Sequence, residues 1–302
     1  MQKLVEIRRR MDVVRSIQSI ARTMATVASA KLSRTRERAA GMRTFTDRLR
    51  TMIRRQEAYA ASRGLDLKAL SPFLAERPQP TRALVLHLSA DRGMCGSYNI
   101  SINRVGLELV ESLGARGLEV EVFAKGAKGE RHLTKKGNVT FAETEGWLRA
   151  GVTEDEVDRI FDRICGGYLD GTYDEVWCAY TQFFTPLKRL PTAVRLLPLA
   201  SERAEDARSE AEAARWFYEP AFDQILSELL QMFLRLQIED VLLESYASEQ
   251  GARMITMEEA TERAGKMLQL LRVQHNRLRR ESITTDLLGV LFASRLREKT
   301  GS

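Results

Sequence analysis

The chain has 302 residues, 44% of them hydrophobic and 29% charged, with a formal net charge of +6. That composition is too apolar for a disordered chain. No window holds 18 consecutive apolar residues, which argues against a membrane-spanning helix, and no apolar segment near the start could serve as a secretory signal. Three cysteines, Cys95, Cys165 and Cys178, form no C-x-x-C pair and leave an odd one over, which predicts reduced thiols in a cytoplasm-like compartment.

The first 71 residues contain no proline, because all seven prolines fall between Pro72 and Pro220. A seam of period 3.5 runs through this flank: Leu4, Ile7, Met11, Val14, Gln18, Ala21, Ala25, Ala28, Leu32, Thr35, Ala39, Met42, Thr46, Leu49 and Ile53. Twelve of these fifteen positions are apolar, a repeat held over about seven heptads, which predicts a long helix in a coiled coil. Ala21, Ala25 and Ala28 stand where a stable zipper has Leu or Ile. Small side chains let helices approach closely but bury little area, so this stretch needs support from neighbours outside the pair.

The middle holds the prolines and thirteen of the nineteen glycines, and its period changes. Residues 83–89 form a short apolar run, 99–113 read as a helix and 118–123 alternate as a strand. Residues 152–169 read as a second helix, with Thr153 as its N-cap ahead of Glu154, Asp155 and Glu156. Strands over 175–181 and 195–199 follow. Strands alternating with helices predict a small α/β domain with a largely parallel sheet over 80–200, inserted between two helical flanks.

The second flank is again proline-free and helical in period, through Phe222, Ile225, Leu229, Met232, Leu236, Leu243 and Tyr246, then Met257, Ala260, Ala264, Met267, Leu271 and Leu278. At about 1.5 Å per residue, helices of this length must pair or stand in a sleeve. Residues 1–63 carry 16 Lys and Arg against 5 Asp and Glu; residues 221–262 carry 2 against 9; residues 263–302 carry 9 against 3. Antiparallel pairing sets the basic 22–63 stretch beside the acidic 221–262 stretch. It also brings two basic runs together at one tip, which calls for a negatively charged partner: a protein ring, a nucleic acid or an anionic lipid surface.

Catalytic chemistry is poorly represented. The loop from Asp91 to Asn99 leads into a helix but has only a G-x-x-G spacing, a weak phosphate signal. His87, His132 and His275 are scattered, and no nucleophile, base and oxyanion donor assemble. The sequence predicts no catalytic residue, no cofactor and no metal. A nucleic-acid-binding coiled coil built on the basic first 63 residues is the alternative reading. The scarcity of aromatics there, only Phe45 and Tyr59, weighs against it.

Three groups of residues resemble one family. Glu6-Ile-Arg-Arg-Arg10 through Met24-Ala-Thr-Val-Ala-Ser-Ala-Lys-Leu32 resembles the amino-terminal signature of the γ subunit of F-type ATP synthases. Ser89-Ala-Asp-Arg-Gly-Met-Cys-Gly96 resembles that family's central loop. Tyr218-Glu-Pro220, Ala247-Ser-Glu-Gln-Gly-Ala-Arg-Met254, Asn276-Arg277 and Ser282-Ile-Thr284 follow in family order and spacing.

The resemblance implies a non-catalytic rotor: two terminal helices, 1–63 and 215–297, forming an antiparallel coiled coil, with an inserted Rossmann-like α/β domain. The implied partners are the α and β subunits of a catalytic hexamer, the ε subunit and the membrane c-ring. By motif position, Met24, Lys31, Arg253, Thr284 and Asp286 are implied to face the αβ sleeve, and Tyr218 and Glu219 the c-ring. The implied place is peripheral, on the cytoplasmic face of a bacterial membrane, since the motif starting at Glu6 leaves no room for a transit peptide. The tail departs from the family pattern, with Asp286 for a usual Glu and Gly289 for a second, which implies a divergent branch.

Overall fold

The computed structural model describes residues 2–136, 139–148, 151–200 and 222–300. Its elements in chain order are α1 (Gln2–Ser62), α2 (Leu67–Leu70), β1 (Arg82–Leu88), α3 (Tyr98–Ala115), β2 (Glu119–Lys125), α4 (Ala127–Lys136), β3 (Thr140–Glu145), α5 (Glu154–Leu169), β4 (Glu175–Phe183), β5 (Arg189–Leu197) and α6 (Phe222–Thr300). The protein is therefore mixed α/β, with a long helix at each end and a five-stranded sheet between them in sequence. Residues divide into two compact units, one of Met1–Val27 with Met254–Ser302 and one of Ala28–Arg253.

In the first unit the seam reads as the sequence predicts. Met11, Ala21 and Ala25 are buried, Leu4, Ile7, Val14 and Gln18 are half-buried, and the residues between them, Met24 apart, are exposed. Met11 packs with Leu268 and Leu271, whereas Ala21 and Ala25 pack with Met257, so the two helical segments run antiparallel. The side-chain amide of Gln18 donates to the Thr261 carbonyl at 3.2 Å. A Cβ at Gly265 would come within 3.1 Å of that amide nitrogen, which explains a glycine in mid-helix.

The second unit holds the sheet, in the order β3-β2-β1-β4-β5. β1 lies at its centre and pairs in parallel with β2 and β4, and β2 pairs in parallel with β3. Leu84, Leu86 and Leu88 of β1 point into a core shared with α5 and with α6 residues from Leu226 to Ala252. Ala83 and Val85 point the other way, into a core with Leu113 of α3 and Leu133 of α4. This two-sided burial accounts for the unbroken apolar run of β1. Beside the sheet, Tyr59 of α1 meets Phe222 of α6 with ring centroids 5.2 Å apart, and Arg38 pairs with Glu239, so these segments are also antiparallel.

Two features differ from the sequence reading. β3 and α4 lie in a region where neither a strand nor a helix is predicted. β5 begins at Arg189 rather than Arg195 and pairs with β4 in an antiparallel hairpin. Pro191 reads as a breaker in sequence, but β5 is the edge strand, where a missing backbone donor costs no ladder bond on its open side.

Candidate functional site

In an open parallel sheet, ligands bind at the carboxyl ends of the strands where the strand order reverses, here between β1 and β4. This chain fills that place with its own groups. The Tyr98 hydroxyl, at the start of α3, lies 2.9 Å from the Ser245 hydroxyl of α6. Ser248 donates to the Thr181 carbonyl of β4 at 3.0 Å, and the Trp147 indole donates to the Glu249 carboxylate at 2.6 Å. A helix therefore crosses the crevice and bonds to it.

The phosphate seats are filled likewise. Asp91 accepts from the backbone N–H groups of Ala127 and Trp147 at 3.1 and 2.9 Å, and the Ser89 hydroxyl accepts from Gly129 N–H at 2.8 Å. A carboxylate and a hydroxyl thus occupy the N-terminus of α4, where an anion would sit. Asn99 turns back to accept from Ala90 N–H at 3.0 Å. The Asp91–Asn99 loop knits the strand ends together.

The other chemistry-bearing side chains are structural. His87 is fully buried, with Nε2 3.0 Å from the Asn103 side-chain oxygen and Nδ1 without a partner. Burial, opposed by the Asn103 bond, pushes its pKa down to about 4, so the ring is neutral. Cys95, Cys165 and Cys178 are free and buried, and burial pushes each thiol's pKa up, as suits unreactive cysteines. Among the described residues no three His, Cys, Asp or Glu side chains converge as a metal site, and no helix is long and apolar enough to cross a membrane.

Outside the crevice, the first unit offers a further candidate for interaction. It carries 15 Lys and Arg against 8 Asp and Glu, so it holds more than the whole net charge of the chain. Arg8, Arg9, Arg10 and Arg15 are exposed on α1, and Arg272, Arg277, Arg279 and Arg280 on α6. Between the cations stand exposed apolar residues: Val13, Ile17, Ile20 and Val27 on α1, with Leu270, Val273, Leu287 and Leu291 on α6. A surface both cationic and apolar suits a partner that presents acids around an apolar lining.

The residues implied to face a sleeve take different places. Met24 is half-buried and packs on the Ala21, Ala25 and Met257 cluster. Lys31 is half-buried on α1. Arg253 pairs with the buried Glu249 at 2.6 Å and is only 13% exposed, so much of its side chain is spent inside the second unit. Thr284 and Asp286 are exposed, with the Thr284 hydroxyl donating to the Arg280 carbonyl at 2.9 Å. Tyr218 and Glu219 lie outside the described residues. Sequence reasoning missed Arg38, Trp147, Tyr98 and Glu239, whose bonds join α1, α3, α6 and the loop after β3. For Arg38 and Glu239 a charged residue on an otherwise apolar helical face was the one signal, and Trp147, in a loop, gave none.

Residues 3–293 match the family model described as ATP synthase. The chain is 32% identical over 295 residues to the ATP synthase gamma chain of Gluconobacter oxydans, covering 96% of this chain and 98% of that one. It is 33% identical over 300 residues to the ATP synthase gamma chain of Desulforudis audaxviator, with the same coverage of 96% and 98%. Among solved structures, a chain of the Euglena gracilis mitochondrial ATP synthase OSCP/F1/c-ring assembly superposes with a TM-score of 0.62 at 15% identity, covering 100% of this chain and 96% of that one.

Proposed function

The chain belongs to the ATP synthase family, among its γ chains, and from that premise we propose how its parts serve the complex. It is a non-catalytic subunit, the rotor of the central stalk, which couples ion-driven rotation to conformational cycling of catalytic β subunits. The terminal segments, 1–63 and 215–297, form an antiparallel coiled coil that stands in a sleeve of α and β subunits. The 80–200 region is a Rossmann-like α/β domain beside the ε subunit and the c-ring, on the cytoplasmic face of a bacterial membrane.

The observation that carries this reading is the charge and apolar exposure of the first unit, beside a nucleotide crevice closed by the chain's own helix. A rotor needs no catalytic group. It needs a surface whose contact energy with each surrounding subunit changes with angle, so that rotation shifts each subunit among its conformations. Met24, Lys31, Arg253, Thr284 and Asp286 contribute to that surface, and Tyr218 and Glu219 face the c-ring. Arg253 acts there through Glu249, which holds its guanidinium. Nothing in the fold or the relatives favours nucleic acid as partner.

Co-expression with the α and β subunits of a bacterial ATP synthase tests the reading. The isolated chain hydrolyses no ATP, and the co-purified complex hydrolyses it faster than α and β alone. Failure to co-assemble, or nucleotide turnover by the isolated chain, overturns it.

A further inference from the structure

The stretch of α6 from Arg235 to Gln250 is buried almost all round, yet it carries five buried polar residues within 12 positions: Glu239, Ser245, Ser248, Glu249 and Gln250. Four of them bond to four different elements. Arg38 of α1 donates to Glu239 at 2.9 Å and also to the Val152 carbonyl ahead of α5 at 2.5 Å. Tyr98 of α3 meets Ser245, Thr181 of β4 accepts from Ser248, and Trp147 beyond β3 donates to Glu249. At the outer end of the stretch, Arg235 donates to Asp158 of α5 at 2.6 Å.

Apolar contacts alone tolerate sliding, because one Leu substitutes for another as a helix turns. Directional bonds do not. A shift of α6 by one residue moves it about 1.5 Å and turns it about 100°, which takes every one of these pairs beyond hydrogen-bond reach at the same time. Breaking the pairs of Glu239, Ser245, Ser248 and Glu249 leaves buried donors or acceptors unsatisfied, whereas Arg235 and Asp158 are partly exposed.

We propose that Arg38, Trp147, Tyr98, Glu239, Ser245, Ser248 and Glu249 form a rotational key. They are positioning residues that lock the register of α6 against the sheet, so that torque on the sheet turns the helix instead of slipping past it. The proposal rests on the rotor reading. It explains why polar side chains occupy sites that shape alone would give to Leu or Ala: the apolar core supplies adhesion and the key supplies register.

The test uses complete ATP synthase containing this chain, reconstituted in liposomes. The quadruple variant Tyr98→Phe, Ser245→Ala, Trp147→Phe, Ser248→Ala removes three bonds and keeps the apolar contacts. ATP hydrolysis stays within about twofold of wild type, and ions transported per ATP fall at least about twofold, because slip wastes rotation. With the sleeve immobilised and a probe on the sheet domain, angular fluctuation widens, which a loss of assembly alone does not produce. If the quadruple variant does not assemble, the pair Tyr98→Phe with Ser245→Ala, which deletes both partners of one bond, is read the same way. Unchanged ion transport per ATP together with unchanged fluctuation overturns the key. Failure of the wild-type chain to support coupled hydrolysis overturns the rotor reading instead.

Discussion

A buried and a half-buried group in the second unit titrate in the same pH range with opposite effects, and removing either one exposes the effect of the other. His87 sits between Gly106 and Gly129, where an added Cβ would come within 2.4 and 2.5 Å of its ring, so the ring has no room to reach water. Its folded pKa is about 4 against an ordinary 6.5, so the folded state resists protonation. The stability this represents is complete above pH 6.5 and lost as pH falls toward 4, a total of about 3 kcal/mol at about 1.4 kcal/mol per pH unit. Glu244 behaves oppositely. Burial, then the neighbouring Asp240, push its pKa up from 4.5 to about 7 against the pull of Arg43. Between those values the folded state binds the proton more tightly than the unfolded state, so acidification stabilises; because the carboxyl is only half-buried, solvent screening reduces the gain to about 2 kcal/mol.

Together these two groups lower wild-type stability by only about 1 kcal/mol between pH 7 and pH 4.5, the small difference of two larger slopes. His87→Gln removes the first slope, so stability rises on acidification by about 2 kcal/mol; Glu244→Gln removes the second, so it falls by about 3 kcal/mol. Urea unfolding followed by circular dichroism at fixed ionic strength, in half-unit pH steps, reads all three profiles. A His87→Gln profile parallel to wild type would refute the claim that the neutral buried ring sets the acid limb.

Gly126 has φ of 109°, and a Cβ there would lie 2.1 Å from the Ser89 carbonyl oxygen; Gly126→Ala costs about 3 kcal/mol or more in chemical denaturation. Gly64, with φ of 65° and open space around it, is the control, and Gly64→Ala costs about 1 kcal/mol. Asp174 accepts from Thr81 N–H, Arg82 N–H, the Thr81 hydroxyl and Arg77, which against the cost of burial hold its pKa at about 2. Asp174→Asn costs about 2 kcal/mol at pH 7. It also removes the stability loss that wild type shows as pH falls from 3.8 toward 2. In the first unit, Ala25→Leu overfills the seam against Met257, costing about 2 kcal/mol, and hydrogen exchange in residues 11–27 and 254–271 reports it as faster opening.

Local pattern carried the terminal helices. Every seam position from Leu4 to Ile53 is buried or half-buried, because a 3.5-residue repeat needs only the geometry of one helix to place its side chains on one stripe. The Thr153 cap was legible for the same reason: its hydroxyl accepts from Glu156 N–H three residues on, at 3.3 Å. The central strands were legible too, β1 as an apolar run, β2 as an alternating stretch and β4 as the strand over 175–181. β3 was not, since Thr140–Glu145 is an edge strand with only two apolar residues, Phe141 and Ala142, and no fully buried position to announce it.

The charge asymmetry was visible in the residues, but its meaning changed with the tertiary structure. Sequence alone assigns the excess to the first 63 residues. Folding pairs Arg38 with Glu239 inside the second unit, whose charges nearly cancel, and leaves the surplus in Met1–Val27 with Met254–Ser302. The Asp91–Asn99 loop shows the same limit. Its composition fits either a phosphate loop or a turn, and only the placement of Asp91 on Ala127 and Trp147, 36 and 56 residues away, identifies it as a seal over the strand ends. Periodicity, punctuation and charge are properties of neighbours along the chain, so the sequence by itself determined the long helices, the divided centre and the basic tip. Register, the closed crevice and the bonds that fasten α6 to the sheet join residues up to 201 apart, and only the folded chain brings those groups within reach.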